Sequence, residues 1–434
     1  MKILVVGSGG REHALCWALK RSPRQPLEIF CAPGNAGIAE IAECVPIAIG
    51  DQESLGAFAE ASSIDLTMVG PEAPLADGIV DTFQDRGLPI VGPSKDAARL
   101  EASKAFAKDF MQRHGIPTAR YRVAPAQKAE AILKSGEFGN EDAAVVIKAD
   151  GLAAGKGVFV ATNRAAALAA LNELKSGVVG AGAAKQLVIE EALSGREVSL
   201  LMFSDGKDFR LMPAARDHKR VGENDTGPNT GGMGCITDAT VLDDLMRDRI
   251  VREVIEPTLM GCRAAGFPFR GILFLGLMLT DDGPRVLEYN VRFGDPETQA
   301  ILVRLKTDLA EILQSIVETR LAALEINWTQ GSSACVVLAS RGYPAKTEIG
   351  ARIAGLDRAD KHGQVTVFHA ATSRGPDHEW LTAGGRVLGV TATGENLDLA
   401  LSHCYRAISD LHWEGMHYRR DIGMLRNSGT AANG

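Results

Sequence analysis

Four short apolar runs, Ile3–Val6, Leu27–Cys31, Leu66–Val69 and Pro89–Val91, punctuate the first hundred residues, with helical patterns such as Glu12–Leu19 and Ala76–Arg86 between them. Strand and helix alternating in this way predict a parallel, doubly wound α/β sheet over residues 1–101. Each run ends in a loop rich in glycine or proline: Gly7-Ser8-Gly9-Gly10, Pro33-Gly34-Asn35-Ala36-Gly37, Gly70-Pro71-Glu72-Ala73-Pro74 and Gly92-Pro93-Ser94. Ligands of such sheets bind beyond the carboxyl ends of the strands, so these four loops are expected to form one site.

Residues 102–326 read as a second, two-lobed α+β unit. Ser103–His114 is a helix closed by Gly115-Ile116-Pro117, and a small lobe follows from about 119 to 187. That lobe holds a helix around Gln127–Lys134, the strand Val145–Lys148, a glycine loop, the strand Val158–Ala161 and an alanine-rich helix. Val188–Glu191 is expected to return to a larger lobe ending near Asn327. From Ser333 the texture changes to strands, at Ser333–Ala339, Gln364–Ala370 and Arg386–Thr393. One amphipathic helix then aligns Leu397, Ala400, Leu401, Cys404, Ile408 and Leu411 on a single face. Residues 327–434 are thus a β-rich α+β domain, with a small, polar tail at Asn427–Gly434 that is expected to be disordered.

Length and charge narrow the partners. A chain of 434 residues allows about three domains. A formal net charge of −7 and the lack of any dense Lys/Arg run argue against a nucleic-acid partner. Seven scattered cysteines without a C-x-x-C pair indicate neither a zinc site nor a disulfide framework. No apolar run approaches the ~20 residues of a membrane span, and the N-terminus enters a strand directly. A soluble, cytoplasmic protein acting on small molecules, and working as a monomer, is the expectation.

The most informative segment is Val286–Glu297. The run Gly271–Leu279 turns at Thr280-Asp281-Asp282-Gly283 and returns through Pro284, which predicts a hairpin. Alternation along the return strand places Glu288, Asn290 and Arg292 on one face. Two hard oxygen ligands for Mg²⁺ beside a permanent guanidinium are what phosphoryl transfer from a triphosphate needs. A solvated strand face would carry the same letters, but Gly294-Asp295-Pro296-Glu297 follows at once and glycine-rich loops lie upstream.

Lys148–Val158 joins two strands through Gly151, Gly155 and Gly157, where backbone N–H groups can approach phosphate oxygens. It is not a Walker A loop, because Gly157 stands after Lys156 where Ser or Thr is required and a strand follows instead of a helix. A plain hairpin turn is the bland alternative to a phosphate lid. Thr226–Gly234, after Asp217-His218-Lys219-Arg220, reads as an active-site loop or else as a linker. Gly7–Gly10 invites a dinucleotide reading, yet Glu12 occupies the third glycine position and no acid ends the second strand. A phosphate-binding helix N-terminus explains the same glycines. His13, one turn into that helix, reads as polar packing or an exposed face.

Taken in order, Val69–Leu75, Ile147–Val158, Asp217–Gly222, Thr226–Gly234 and Arg292–Gln299 resemble the ATP-grasp ligases, and among them the phosphoribosylamine–glycine ligase family. The likeness runs from Val6–His13 to Arg420–Gly423. It implies ATP-dependent ligation of glycine to 5-phosphoribosylamine through a glycyl phosphate in purine synthesis, with Mg²⁺ or Mn²⁺ and with ATP as co-substrate. By the same resemblance Lys104 and Lys148 contact phosphates, and Gly151, Gly155, Lys156 and Gly157 form the lid. Glu190, Glu191 and Leu193 hold adenine, and Glu197 holds the ribose hydroxyls. Glu288 and Asn290 are the metal ligands, and Arg292 acts on the transferring phosphoryl group. Asp217 and Lys219 are catalytic, with Gly294, Asp295, Pro296 and Glu297 lining the glycine and amine pocket. Gly9, Gly10, Asn35 and Glu72 contact the phosphoribosylamine. Many ATP-grasp enzymes carry a further acid on the strand before Glu-x-Asn, whereas Gly271–Leu279 has none. Another acid or amine substrate, a nicotinamide oxidoreductase and a catalytically silent nucleotide sensor remain as alternatives.

Overall fold

The computed structural model describes residues 1–24, 26–152, 157–176 and 185–424. Gly155 and Lys156 of the expected lid and the tail 427–434 lie outside the described residues. The first sheet contains β1 (Lys2–Gly7), β2 (Glu28–Pro33), β3 (Glu43–Cys44), β4 (Leu66–Val69) and β5 (Ile90–Val91), all parallel in the order β3-β2-β1-β4-β5. This is the doubly wound sheet the βαβ rhythm implies. Between its strands run α1 (Gly10–Lys20), α2 (Gln52–Ala61), α3 (Glu72–Asp77) and α4 (Ile79–Asp85). The single helix expected over Ala76–Arg86 is broken at Gly78, whose φ of +95° is a left-handed conformation that ends α3. After α5 (Lys95–Ala102) and α6 (Lys104–Arg113) the chain enters the small lobe.

That lobe is an antiparallel sheet of β6 (Tyr121–Pro125), β7 (Val145–Ala149), β8 (Val158–Ala161) and β9 (Gln186–Glu191), in the order β6-β9-β7-β8. The strand β9 pairs with both β6 and β7, so Val188–Glu191 closes the small sheet before the chain crosses over. Helices α7 (Ala126–Lys134) and α8 (Arg164–Lys175) cover one side through Ala129, Leu133, Ala167, Leu171 and Leu174.

The larger sheet uses β10 (Arg196–Asp205), β11 (Phe209–Leu211), β12 (Ala215–Asp217), β15 (Gly234–Thr237), β16 (Arg270–Thr280), β17 (Gly283–Asn290), β18 (Ser332–Ala339), β19 (Val365–His369) and β22 (Arg386–Gly394). Two hairpins stand outside it, β13 (Arg220–Gly222) with β14 (Thr226–Asn229), and β20 (Thr372–Arg374) with β21 (Trp380–Thr382). Both faces of β10 and β16 are covered, which is why they read as unbroken apolar runs. Leu200, Met202 and Leu273 enter one core cluster and Leu201, Phe203 and Ile272 the other. Each such side chain, fully buried, contributes about 1.5–3 kcal/mol. The sheet does not stop where the sequence changes texture: β15 pairs with β18 in register, Cys235 opposite Cys335. Among the described residues no helix is long and apolar enough to cross a membrane.

His13 has a structural role. Its Nδ1 accepts the backbone N–H of His369 at 2.8 Å, joining α1 to the last residue of β19. Both rings are buried, and His369 packs against Trp380 with centroids 4.4 Å apart and the ring planes tilted by 43°. Burial pushes His13 down to about 4 and His369 down to about 3. Unfolded, both would titrate near 6.5, so the neutral pair stabilises the fold fully above that pH and loses its contribution as pH falls toward 4. Wild-type stability in urea should therefore fall from pH 7 to pH 5.5, by on the order of 1 kcal/mol for each ring. In His13→Gln, which keeps an acceptor but cannot titrate, that pH dependence should be visibly shallower. Parallel curves for the two proteins would show that the junction does not sense pH.

Candidate active site

A cleft of about 480 Å³ opens between the lobes. Its cationic wall begins on α6. Ser103 caps this helix, its Oγ accepting the Phe106 N–H at 3.1 Å, and Lys104 and Lys108 follow one turn apart on the same face. The helix start also holds the glycine loop. The Asp150 carboxylate accepts the Ser103 hydroxyl at 3.0 Å and the Ala105 N–H at 3.1 Å, while Lys104 Nζ donates to the Gly151 carbonyl at 2.8 Å. Gly157 lines the cleft where the loop rejoins β8.

Glu190, at the end of β9, is buried between two ammonium groups. Its oxygens lie 2.9 Å from Lys108 Nζ and 2.9 Å from Lys148 Nζ. Lys108 also donates to Thr118 Oγ1 at 2.7 Å, and Lys148 to the Leu287 carbonyl at 3.0 Å. That carbonyl is available because Leu287 is the bulged residue of β17: Gly276 opposes Glu288 while Leu277 opposes Val286. Burial lowers the Lys108 affinity for its proton to about 8, against the pull of Glu190.

Glu288, Asn290 and Arg292 face the cleft together, with Arg292 donating to Asn290 Oδ1 at 3.3 Å. Burial opposes ionisation of Glu288, but Lys219, Lys148 and Lys104 hold it below the ordinary carboxylate range. The Arg292 guanidinium is fixed by Glu101 from α5 at 2.8 Å and Glu72 from α3 at 3.3 Å. Glu101 accepts the Val291 N–H at 2.7 Å with its other oxygen, so one carboxylate sets both backbone and side chain.

The opposite wall comes from β12 and the loop after it. Asp217 and Lys219 line the cleft, and Lys219 Nζ lies 3.6 Å from Glu197. The turn at Gly294–Glu297 is clamped from the far domain. Arg386 on β22 donates to the carbonyls of Gly231 (2.6 Å) and Asp295 (2.7 Å) and pairs with the Asp295 carboxylate at 3.2 Å. Pro296 sits against Gly232, and buried Glu297 accepts the Ser199 hydroxyl at 3.3 Å.

The N-terminal loops divide. Gly9 and Gly10 lie beside the same turn, where added methyl groups would meet Asp295 and Gln299. Arg11 and Glu72 line the cleft, but Asn35 is turned to the C-terminal domain, its amide donating to the carbonyls of Ser8, His369 and Ala370. Gly92 packs on the start of β16, its backbone 2.9 Å from where a Cβ on Gly271 would stand. Of the four loops, Gly70–Pro74 lines the cleft through Pro71 and Glu72, and Arg11 directly follows Gly7–Gly10. Glu12 explains the glycines near it: its carboxylate accepts the Gly9 N–H at 2.6 Å, and a Cβ on Gly70 would stand 1.9 Å from it. At this helix end the Gly9 N–H is thus taken by the chain's own carboxylate.

Glu191 is engaged by Arg120, through its N–H at 2.8 Å and Nε at 2.6 Å, and half-buried Leu193 lies on the link to β10. Sequence reasoning missed Lys108, Glu101, Asp150, Arg11 and Arg386. Lys108 could have been found from its spacing to Lys104, whereas Arg386 has no local signal.

Among the described residues no three His, Cys, Asp or Glu side chains group as a metal site. Glu288 and Asn290 still fit Mg²⁺, which takes one or two protein oxygens and completes its shell with phosphates and water.

A small antiparallel sheet set across a cleft from a strand with Glu-x-Asn-x-Arg is the arrangement of the ATP-grasp class of ATP-dependent ligases. Three family profiles cover the chain: phosphoribosylglycinamide synthetase N domain over 1–101, its ATP-grasp (A) domain over 102–298 and its C domain over 333–425. The chain belongs to the phosphoribosylglycinamide synthetase family. It is 45% identical to the phosphoribosylamine–glycine ligase of Brucella melitensis, covering 98% of this chain and 97% of that one. The ligase of the same name from Xanthomonas axonopodis is 47% identical, with 98% and 97% covered. The crystal structure of the Thermotoga maritima phosphoribosylamine–glycine ligase superposes with a TM-score of 0.83 at 34% identity, covering 97% of this chain and all of that one. Biotin carboxylase from Campylobacter jejuni, at 18% identity and a TM-score of 0.70 with 97% and 93% covered, shares the fold.

Lys108→Met tests the buried triad. Glu190 would keep only one cation, and unfolding free energy should drop by about 3 kcal/mol, read from urea denaturation. A loss well under 1 kcal/mol would mean that Lys148 alone satisfies the carboxylate.

Proposed function

We infer that this protein joins glycine to 5-phosphoribosylamine at the expense of ATP, giving glycinamide ribonucleotide, ADP and phosphate. The observation that carries the reading is the cleft itself, which gathers Lys104, Lys148, Glu288, Asn290 and Arg292 in one family-matched frame. A free carboxylate is a poor acyl donor because its leaving group would be oxide. Phosphorylation of glycine by the γ-phosphoryl group converts that oxygen into a leaving group, and the amine then attacks the acyl carbon.

The chain's contribution is positioning and charge. Lys104 and Lys148 bind phosphate oxygens, Lys148 being aimed by Glu190 and the Leu287 carbonyl. Arg292, held from two sides, meets the transferring phosphoryl group without having to reorganise. Glu288 and Asn290 would hold a divalent ion, Mg²⁺ or Mn²⁺, which supplies charge neutralisation on the phosphates. Glu190, Glu191 and Leu193 at the lobe junction support an adenine site, and Glu197 a ribose contact. Gly294–Glu297, with Gly9, Gly10 and Glu72 nearby, support a pocket for glycine and the phosphoribosylamine.

ADP release should require both glycine and the amine, generated in situ, with one ADP for each amide formed. Release with another amino acid and none with glycine would overturn the substrate assignment. Glu288→Gln should lower kcat/KM by at least ~10²-fold, or roughly 2.7 kcal/mol, at limiting Mg²⁺. Arg292→Lys keeps the charge but loses the planar fork, and Arg292→Ala loses both; the alanine variant should fall ~10³-fold, mostly in kcat. If Arg292→Ala weakens ATP-analogue binding yet turns over normally at saturation, Arg292 is a binding contact only.

A further inference from the structure

Forming the amide requires that nitrogen lose a proton, and none of the groups assigned above receives it. Attack by the neutral amine leaves positive charge on nitrogen, and the adduct collapses productively only when a base takes the proton. Most cleft carboxylates are already committed. Glu72 and Glu101 hold Arg292, Glu190 lies between two lysines, and Asp295 is held by Arg386 and by Gln299 at 2.8 Å. Glu288 is a metal ligand in this reading, and Glu297 accepts from Ser199.

Asp217 differs from all of these: no hydrogen bond from a described residue reaches its carboxylate. It ends β12 two residues after Ala215, which is buried in the same core cluster as Phe274, Phe293 and Ile301, and it lines the cleft together with Gly294, Asp295 and Glu297 of the neighbouring turn. Every neighbouring element presents a charged or titratable group to it: Glu197 from β10, Cys235 from β15, Glu288 from β17, Glu297 from the following helix, and Lys219 two residues on. Burial drives its proton affinity up to about 7; Lys219 opposes the rise, and Glu297, Glu197 and Glu288 reinforce it. A carboxylate in such a setting can take a proton from a nitrogen near neutrality and give it back.

The geometry points to Asp217 as the proton acceptor of the ligation step, a role that rests on the ligase reading above. The nitrogen lone pair forms the C–N bond. The bond from the acyl carbon to the phosphate oxygen breaks, and phosphate leaves with that electron pair. The N–H proton passes to a carboxylate oxygen of Asp217, which returns it to water or to the departing phosphate. Lys219 favours the ionised form of the carboxylate that receives the proton.

Hydroxylamine, a strong but weakly basic nucleophile, separates this role from the phosphorylation that precedes it. Wild type given ATP, glycine and hydroxylamine should form glycyl hydroxamate. Asp217→Asn should lose at least ~10²-fold in ligation of the phosphoribosylamine but under ~10-fold in hydroxamate formation, and Asp217→Glu should recover part of the ligation. If Asp217→Asn does not fold, Asp217→Ser carries the same comparison. Equal losses in both reactions would overturn the proposal, as would full ligation by either variant. A wild-type enzyme that makes no hydroxamate with glycine would overturn the ligase reading itself. Retained ligation in a variant would leave that reading intact and remove only the role of Asp217.

Discussion

The cleft holds several cations together, largely out of water. Two like charges 4 Å apart repel by about 4 kcal/mol at an effective dielectric of 20, so the unliganded site must be neutralised from within. Here that is done by carboxylates placed between the cations. Glu190 lies between Lys108 and Lys148, and Glu101 and Glu72 flank Arg292. The pairing has a second effect. Each cation is held in one orientation by its partner, so the same pairing supplies the preorganisation that the proposed phosphoryl transfer requires.

The architecture delivers these groups from distant stretches of chain. The first sheet contributes Arg11 and Glu72, α5 and α6 contribute Glu101, Lys104 and Lys108, and the large sheet contributes Asp217, Glu288 and Arg386. Arg386 ties the Thr226–Gly234 loop and the Gly294–Glu297 turn to a strand of the last domain. The Arg419 guanidinium, almost wholly buried, does similar work for the β13–β14 hairpin by bonding the Arg220 carbonyl and the Asp225 carboxylate.

The sequence made local facts legible and left relational ones hidden. The first sheet, the hairpin of β16 and β17 and the cleft-facing row of Glu288, Asn290 and Arg292 follow from period and turn chemistry, which act within about a dozen residues. Gly78 split a helix because its left-handed conformation outweighed the apolar pattern around it. The glycines at 7 and 70 suggested a ligand, whereas they make room for Glu12, a contact whose partners lie 58 residues apart in sequence at the furthest. Asn35 likewise stands in a loop typical of ligand contacts, but its five hydrogen bonds are spent on holding the chain. Whether a polar residue serves a ligand or the fold depends on what the rest of the molecule brings to it.

The seam between β15 and β18 bears on how far the molecule can be divided. Residues 234–237 and 333–336 exchange backbone hydrogen bonds inside one continuous sheet, although a change of sequence texture separates them. A fragment ending near 327 would leave the donors and acceptors of β15 unpaired along a bare strand edge flanked by buried apolar side chains. Such an edge is a template for pairing with other copies. The units visible in the sequence are therefore not interchangeable parts, and the last domain doubles as a cover that keeps the preceding one from aggregating.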